Sequence, residues 1–364
     1  MPPAASAATA LAAISPLIAS GDFYSAHQKA RTFAARYTKS KAYAVAIQVL
    51  FESARELLKA GQPGSGVDLG VMMIDVYETS GEGMSEVSRG RITQLIALTG
   101  TEGTWRDTVI SKAIAWSAKA TDCPAGDPEL QYYLGELFHK EMNYPESELH
   151  LLCSGTRDSA RLLAQVLFEW SRGGSEPAAY ACRGVMPFLL TTNILAARTF
   201  LDAFLPLVFA SKPDMLLQKD PVAVGRGDEI WTTTDHTLNF LQMTIRICQR
   251  ADPDATNFKD VRNAWVRLCS RYVGSVSGVS TPSGKMLVVG DQGMKDAVIS
   301  LSHLYFNIQP PRTGPTNPLG DMMASLFGAA PPGAGPQSAR RTIGGGGRGR
   351  GRGGAISASS PGLD

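Results

Sequence analysis

The sequence predicts an all-α fold, a right-handed α-solenoid of TPR-like helix pairs with one inserted β-hairpin. Three observations predict it. Apolar residues recur at steps of three and four along most of the chain, period-2 alternation occurs in one stretch only, and the breaks between periodic stretches are short. Hydrophobic residues make up 44% of the 364 and charged residues 19%, enough to bury a core.

The elements follow in order. After Gly21-Asp22, the residues Phe23, Ala26, Ala30, Phe33 and Tyr37 trace one helix face, with Asp22 as a natural N-cap. Ile47, Leu50, Ala54, Leu57 and Leu58 trace a second helix. Gly61-Gln-Pro-Gly-Ser-Gly66 reads as a break. Further helices carry Val67, Val71, Met72 and Val76, then Ile92, Leu95, Ile96 and Leu98, then Trp105, Val109, Ala113 and Trp116. Gly126-Asp127-Pro128 starts another, which buries Leu130, Tyr133, Leu134, Leu137 and Phe138. Helical patterns continue through Arg161–Trp170, Leu195–Phe209, Leu238–Cys248 and Val261–Tyr272. Between them Pro221–Asp235, with Val222, Val224, Ile230 and three Thr around Gly225-Arg-Gly227, reads as a hairpin within roughly residues 219–236. A faint internal echo places Tyr24, Tyr43 and Tyr144 at helix starts, without a clean 34-residue period.

Four segments result. Residues 1–20 form an Ala-rich extension or short helix, 21–155 the first half of the solenoid, 156–328 the second half with the hairpin, and 329–364 a tail. Eleven Gly and four Pro fill 15 of the 36 tail positions, a composition that builds no core. The tail carries five Arg and one Asp, so the body is near −2 although the whole chain is +2. Five Cys are spaced no closer than 21 residues, without a CxxC. No apolar run approaches a membrane span, and no basic region precedes the Ala-rich start, so neither a transmembrane helix nor a secretory signal is expected.

Motifs for catalysis fail on inspection. His139-Lys-Glu141 matches half of a zinc deaminase signature, but no P-C-x-x-C follows. Gly278–Lys285 has one residue too many for a phosphate loop, and Met286 stands where Ser or Thr must hold magnesium. There is no G-x-S-x-G and no HExxH, and Cys153, Cys182, Cys248 and Cys269 sit in apolar patterns as small core residues. No enzymatic activity and no cofactor are expected.

Charge is segregated instead. Phe23–Phe51 holds Lys29, Arg31, Arg36, Lys39 and Lys41 and no acid, whereas Ala60–Ser88 holds Asp68, Asp75, Glu78, Glu82 and Glu86 and no base. On neighbouring antiparallel helices these would expose adjacent basic and acidic stripes, suited to steering a charged protein partner. Leu319, Met322, Met323, Leu326 and Phe327 trace an amphipathic helix after Pro318, whose apolar face docks on the body or on a partner. Gly344–Gly354 holds three RG repeats, which can contact RNA. An RNA-binding or scaffold helical-repeat protein is therefore the alternative reading.

Six ordered segments carry a resemblance. They are Gly21-Asp-Phe-Tyr-Ser-Ala-His-Gln28 with Arg36-Tyr37, Gly64-Ser-Gly-Val-Asp-Leu69, Gly126-Asp-Pro-Glu-Leu130, Asn239-Phe-Leu-Gln242, Tyr305-Phe-Asn-Ile308 and Asp321-Met-Met-Ala-Ser-Leu-Phe-Gly328. Together they resemble the Golgi-to-ER traffic protein four family, the helical adaptor subunit of the guided-entry pathway for tail-anchored membrane proteins. The resemblance implies a cytosolic α-solenoid without enzymatic activity. Its N-terminal helices would bind the targeting ATPase of the pathway, through positions that fall on His27, Arg36, Lys39, Asp68 and Asp75. Lys39 departs from the Arg expected there, keeping the charge and losing the planar fork. Its C-terminal helices would hold a small ubiquitin-like-domain protein in a heterodimer, with the hairpin helping to clasp it, and thereby bridge a client-carrying co-chaperone to the ATPase. The residues expected on that side are Trp231, Tyr305, Phe306, Leu319, Met322, Met323, Leu326 and Phe327. The RG-rich tail lies outside the family pattern.

Overall fold

A computed structural model describes residues 6–173, 176–225, 227–273 and 292–309. Among these residues fourteen α-helices follow in sequence. They are α1 (Ala7–Ala19), α2 (Phe23–Lys39), α3 (Tyr43–Lys59), α4 (Pro63–Ser80), α5 (Glu86–Leu98), α6 (Trp105–Ala120) and α7 (Pro128–Lys140), then α8 (Tyr144–Ser154), α9 (Arg157–Ser171), α10 (Pro177–Leu190), α11 (Ile194–Ser211), α12 (His236–Cys248), α13 (Phe258–Tyr272) and α14 (Gln292–Phe306). Two short strands, β1 (Val222–Ala223) and β2 (Glu229–Ile230), lie between α11 and α12. The fold is the all-α solenoid expected.

Local chemistry sets the helix starts. Asp22 accepts a hydrogen bond from Ser25 N at 3.2 Å, and Asp127 one from Leu130 N at 2.8 Å, each meeting a donor the first turn leaves unpaired. One turn recurs between paired helices. Gly21, Lys41, Gly61, Met142 and Thr192 all adopt positive φ between 59° and 81°. In each case the next amide reaches back five residues, as Asp22 N does to Leu17 O, Ala42 N to Tyr37 O, Gln62 N to Leu57 O, Asn143 N to Phe138 O and Asn193 N to Phe188 O. These are Schellman closures followed at once by a new helix. They are the physical content of the echo at Tyr24, Tyr43 and Tyr144.

Two readings of breaks need correction. Gly61 alone makes the turn before α4, and Gly64 and Gly66 lie inside that helix. A Cβ at Gly66 would stand 2.5 Å from Leu58 Cγ, so glycine there permits close approach of α3 and α4. Helix α10 has no counterpart in the sequence reading, because Gly184 and Pro187 interrupt its pattern.

Helices α1 to α13 pack chiefly on their next one or two neighbours, the contact order of a solenoid, and α14 folds back onto α10 as well as α13. Buried side chains fall into two clusters. One runs from Ala7 through Phe138, on α1 to α7, and the other from Leu151 through Ile308, on α8 to α14. Among the described residues helix α11 is long and apolar enough to cross a membrane by length and composition. Ala197, Phe200, Leu201, Phe204 and Val208 place it in the second core, and Arg198 and Asp202 interrupt its apolar surface. Cys182, Cys248 and Cys269 are buried as expected, and Cys153 is half-buried. Burial pushes the Cys182 and Cys248 thiols up to about 12.

The hairpin sits where the alternation predicts it. β1 and β2 pair antiparallel, Val222 opposite Ile230 and Ala223 opposite Glu229, and a further bridge joins Leu216 to Thr233. Leu319, Met322, Met323, Leu326 and Phe327, the loop Gly278–Lys285 and the Gly/Arg-rich tail lie outside the described residues.

Candidate functional site

The first surface grows from α2 and α4. Alanines at 26, 30 and 34 line the inner face of α2, so that helix lies close against its neighbours. Its other faces then bring His27 within 2.8 Å and Arg31 within 3.1 Å of Asp68 on α4. One turn pair further along, Asp75 is 54% exposed and bonds Lys112 of α6 at 2.6 Å. The same lysine reaches Glu78, which Lys119 also holds. The Asp75 hydrogen bond raises the Lys112 ammonium, and the Lys119 hydrogen bond lowers the Glu78 carboxyl.

The adjacent stripes are therefore paired in part with each other and in part with α6. The acids of α4 are matched by α2 on one flank and by α6 on the other. Lys112 and Lys119 lie outside the two charge runs, which is why the sequence reading missed them. Of the two charge runs, Glu82 and Glu86 form no ion pair among the described residues, and neither do Arg36 and Lys39, which are exposed. The Arg36 guanidinium lies 5.5 Å from the centre of the Phe33 ring and 5.7 Å from that of Tyr37. Two rings thus hold it in place while its donors face solvent.

The second surface grows from the hairpin and α12. Gln242 on α12 accepts a hydrogen bond from Trp231 N at 2.8 Å and donates to Trp231 O at 2.9 Å. Asn239 does the same for residue 233, accepting from Thr233 N at 3.0 Å and donating to Thr233 O at 2.7 Å. Residues three apart share a helix face and residues two apart share a strand face, so two carboxamides grip alternate backbone positions. The sequence reading used Asn239 and Gln242 only for resemblance. Their i, i+3 spacing after a strand signal was the clue to this clamp.

Trp231 is half-buried, its ring 5.6 Å from that of Phe209. Tyr305 donates to Leu189 O at 2.9 Å, and burial pushes its phenol up. Phe306 is 0% exposed and stacks on Trp265 at 4.9 Å. Phe306 is therefore core, because the end of α14 folds back onto α13, and the expectation that it meets a partner is corrected.

Other polar pairs tie helices together. Arg89 holds Asp127 through two bonds of 2.7 and 3.0 Å, and Arg106 holds Glu141 at 2.5 and 2.7 Å. His139 bonds Glu169 at 2.8 Å, so the half-signature around it joins α7 to α9. Among the described residues no group of three or more His, Cys, Asp or Glu is placed to hold a metal ion.

Comparison with known proteins agrees on one family. A family profile described as Golgi to ER traffic protein 4 matches residues 40–327. A Golgi to ER traffic protein 4 of Aspergillus fumigatus is 32% identical over 328 residues, covering 85% of this chain and 87% of that protein. Another, of Schizosaccharomyces pombe, is 26% identical and covers 85% and 92% respectively. Among solved structures, the crystal structure of C. therm. Get4 superposes with a TM-score of 0.69 at 28% identity, over 92% of this chain and 99% of that one.

Proposed function

The chain belongs to the Golgi to ER traffic protein 4 family, and from that premise we propose that it is a non-enzymatic cytosolic adaptor for tail-anchored membrane proteins. It bridges a ubiquitin-like-domain protein, and through it a client-carrying co-chaperone, to a targeting ATPase. The α2–α4 face binds the ATPase through His27, Arg36, Lys39, Asp68 and Asp75. The hairpin, α14 and the segment holding Leu319, Met322, Met323, Leu326 and Phe327 bind the ubiquitin-like protein.

One observation carries the ATPase side. Arg36 is exposed, braced on two rings and without an acidic partner among the described residues. A guanidinium held in one place loses little freedom on meeting a carboxylate. Asp68 and Asp75 are held by bases that a competing base could displace. An adaptor with this face favours whichever ATPase conformation presents complementary charge, and so shifts the nucleotide state without chemistry of its own.

Binding and turnover of the targeting ATPase test this. Arg36→Ala weakens association about tenfold at low salt and less at high salt, because screening removes part of the interaction. Asp68→Lys and Asp75→Lys alter control of hydrolysis while the thermal midpoint falls only modestly, since each breaks partly exposed ion pairs worth about 1 kcal/mol or less. Unchanged binding and hydrolysis in all three variants would sink the assignment.

A further inference from the structure

Beneath the hairpin, three arginines share two carboxylates, and two of them are held only by long contacts. Arg198 of α11, Arg246 of α12 and Arg250 just after α12 converge on Asp228, which precedes β2. Arg250 is close, at 3.0 Å. Arg198 stands 3.4 Å from both Asp228 and Asp202. Arg246 reaches the same two carboxylates at 3.7 and 3.8 Å, and its hydrogen bonds to Gln249 Oε1 and Glu229 O are 3.4 and 3.3 Å long. Charge-assisted bonds normally close to about 2.7–2.9 Å, as that of Arg89 to Asp127 does at 2.7 Å. The Arg246 side chain is 12% exposed, yet its buried Nε has no hydrogen-bond partner. A guanidinium offers five donors. Arg198 and Arg246 therefore hold donors in surplus around a cavity of about 270 Å³ that they line together with Leu201, Leu205, Trp231 and Ile245.

We propose that this cavity receives one carboxylate, the acidic side chain of a protein segment held by the hairpin. The assignment rests on the reading of the hairpin as the clasp for the ubiquitin-like partner. The charged residues lining the cavity balance, Asp202 and Glu229 against Arg198 and Arg246, so it is the unmet donors of the two arginines and not an excess of charge that a single acid satisfies. Glu229, exposed at the rim, disfavours a second acid. Burial lowers the Arg246 guanidinium and repulsion from Arg198 lowers it further, so the site gains from another anion. The planar fork of Arg246 suits the two oxygens of a carboxylate, and the apolar wall suits the methylenes that carry it. The same cavity touches Trp231, which Gln242 fixes, so filling it also bears on the hairpin.

The test is calorimetric titration of the full chain with the clasped partner. It compares wild type with Arg246→Gln, Arg246→Lys and Arg198→Gln, and replaces the partner's acids singly by amides. Arg246→Gln is expected to weaken binding at least tenfold, and Arg246→Lys to recover only part of the loss, because an ammonium presents no fork. One acid of the partner, when neutralised, shows the same loss and adds none on top of Arg246→Gln. Arg198 is 37% exposed, so Arg198→Gln keeps the wild-type thermal midpoint and still weakens binding severalfold, which separates the site from misfolding. Wild-type affinity in both glutamine variants, or a loss that no single acid of the partner shares, overturns the site alone. Failure of the wild type to bind the partner refutes the clasp reading and the site with it.

Discussion

His150 lies 95% out of solvent contact in α8, its ring stacked 5.4 Å from Phe138 and its Nδ1 2.7 Å from Gln131 Oε1. That bond makes Nδ1 the donor, and burial favours the neutral imidazole. Burial lowers its pKa from 6.5 to about 4. The unfolded chain therefore takes up a proton at a pH where the folded chain does not. Stability is full above about pH 6.5, falls as the pH drops toward 4, and levels off below, a loss on the order of 3 kcal/mol. Urea midpoints measured across that range should slope for wild type and flatten for His150→Phe, which keeps the stack and removes the titration. An equal slope in both would assign the acid sensitivity elsewhere. Legibility at this scale followed sequence distance. The caps Asp22 and Asp127 were readable because cap and helix are adjacent. His27 and Asp68 are 41 residues apart, so the sequence could place each on a charged helix but not join them. Phe306 was misread for the same reason, since its ring partner Trp265 lies on another helix.

The repeated turn operates at the scale of elements. Glycine adopts positive φ without strain, but Thr192 adopts φ 61° with a β-branched side chain. An L-residue there carries about 1–2 kcal/mol of strain, while glycine adds roughly 0.5–1 kcal/mol of unfolded-state entropy. Thr192 is exposed, so its side chain offers little in compensation. Thr192→Gly should stabilise the protein by about 0.5–1 kcal/mol, read as a higher urea midpoint at constant m. A lower midpoint would show that the threonine side chain supports the turn. Helices with caps and uninterrupted 3-and-4 spacing were legible in the sequence. Helix α10 was not, because Gly184 and Pro187, helix breakers by propensity, are tolerated where tertiary packing holds the element.

At the scale of the molecule, the described residues form two cores that meet through α7, α8 and α9, with Tyr132 of α7 packed against the second cluster. In a solenoid, stability is close to a sum of local units and their interfaces, so damage to one core need not reach the other. Gly184 provides the means to test this. A Cβ there would run into the ring of Phe200, which is fully buried and stacked on Phe204 at 5.4 Å. Neither ring can withdraw without moving α11, so Gly184→Ala should destabilise the second core by about 1–3 kcal/mol. Cys182, Cys248 and Cys269 report on that core, because burial keeps their thiols protonated and closed to reagents until the structure opens. In Gly184→Ala their labelling should accelerate roughly tenfold or more. Cys123, between α6 and α7 and only half-buried, should label at its wild-type rate. Affinity for the ATPase through Arg36 should stay unchanged, while affinity for the partner clasped by the hairpin should fall. Were ATPase affinity to fall by the same factor, and Cys123 to accelerate with the others, the two cores would be one cooperative unit and the two surfaces would be coupled through it.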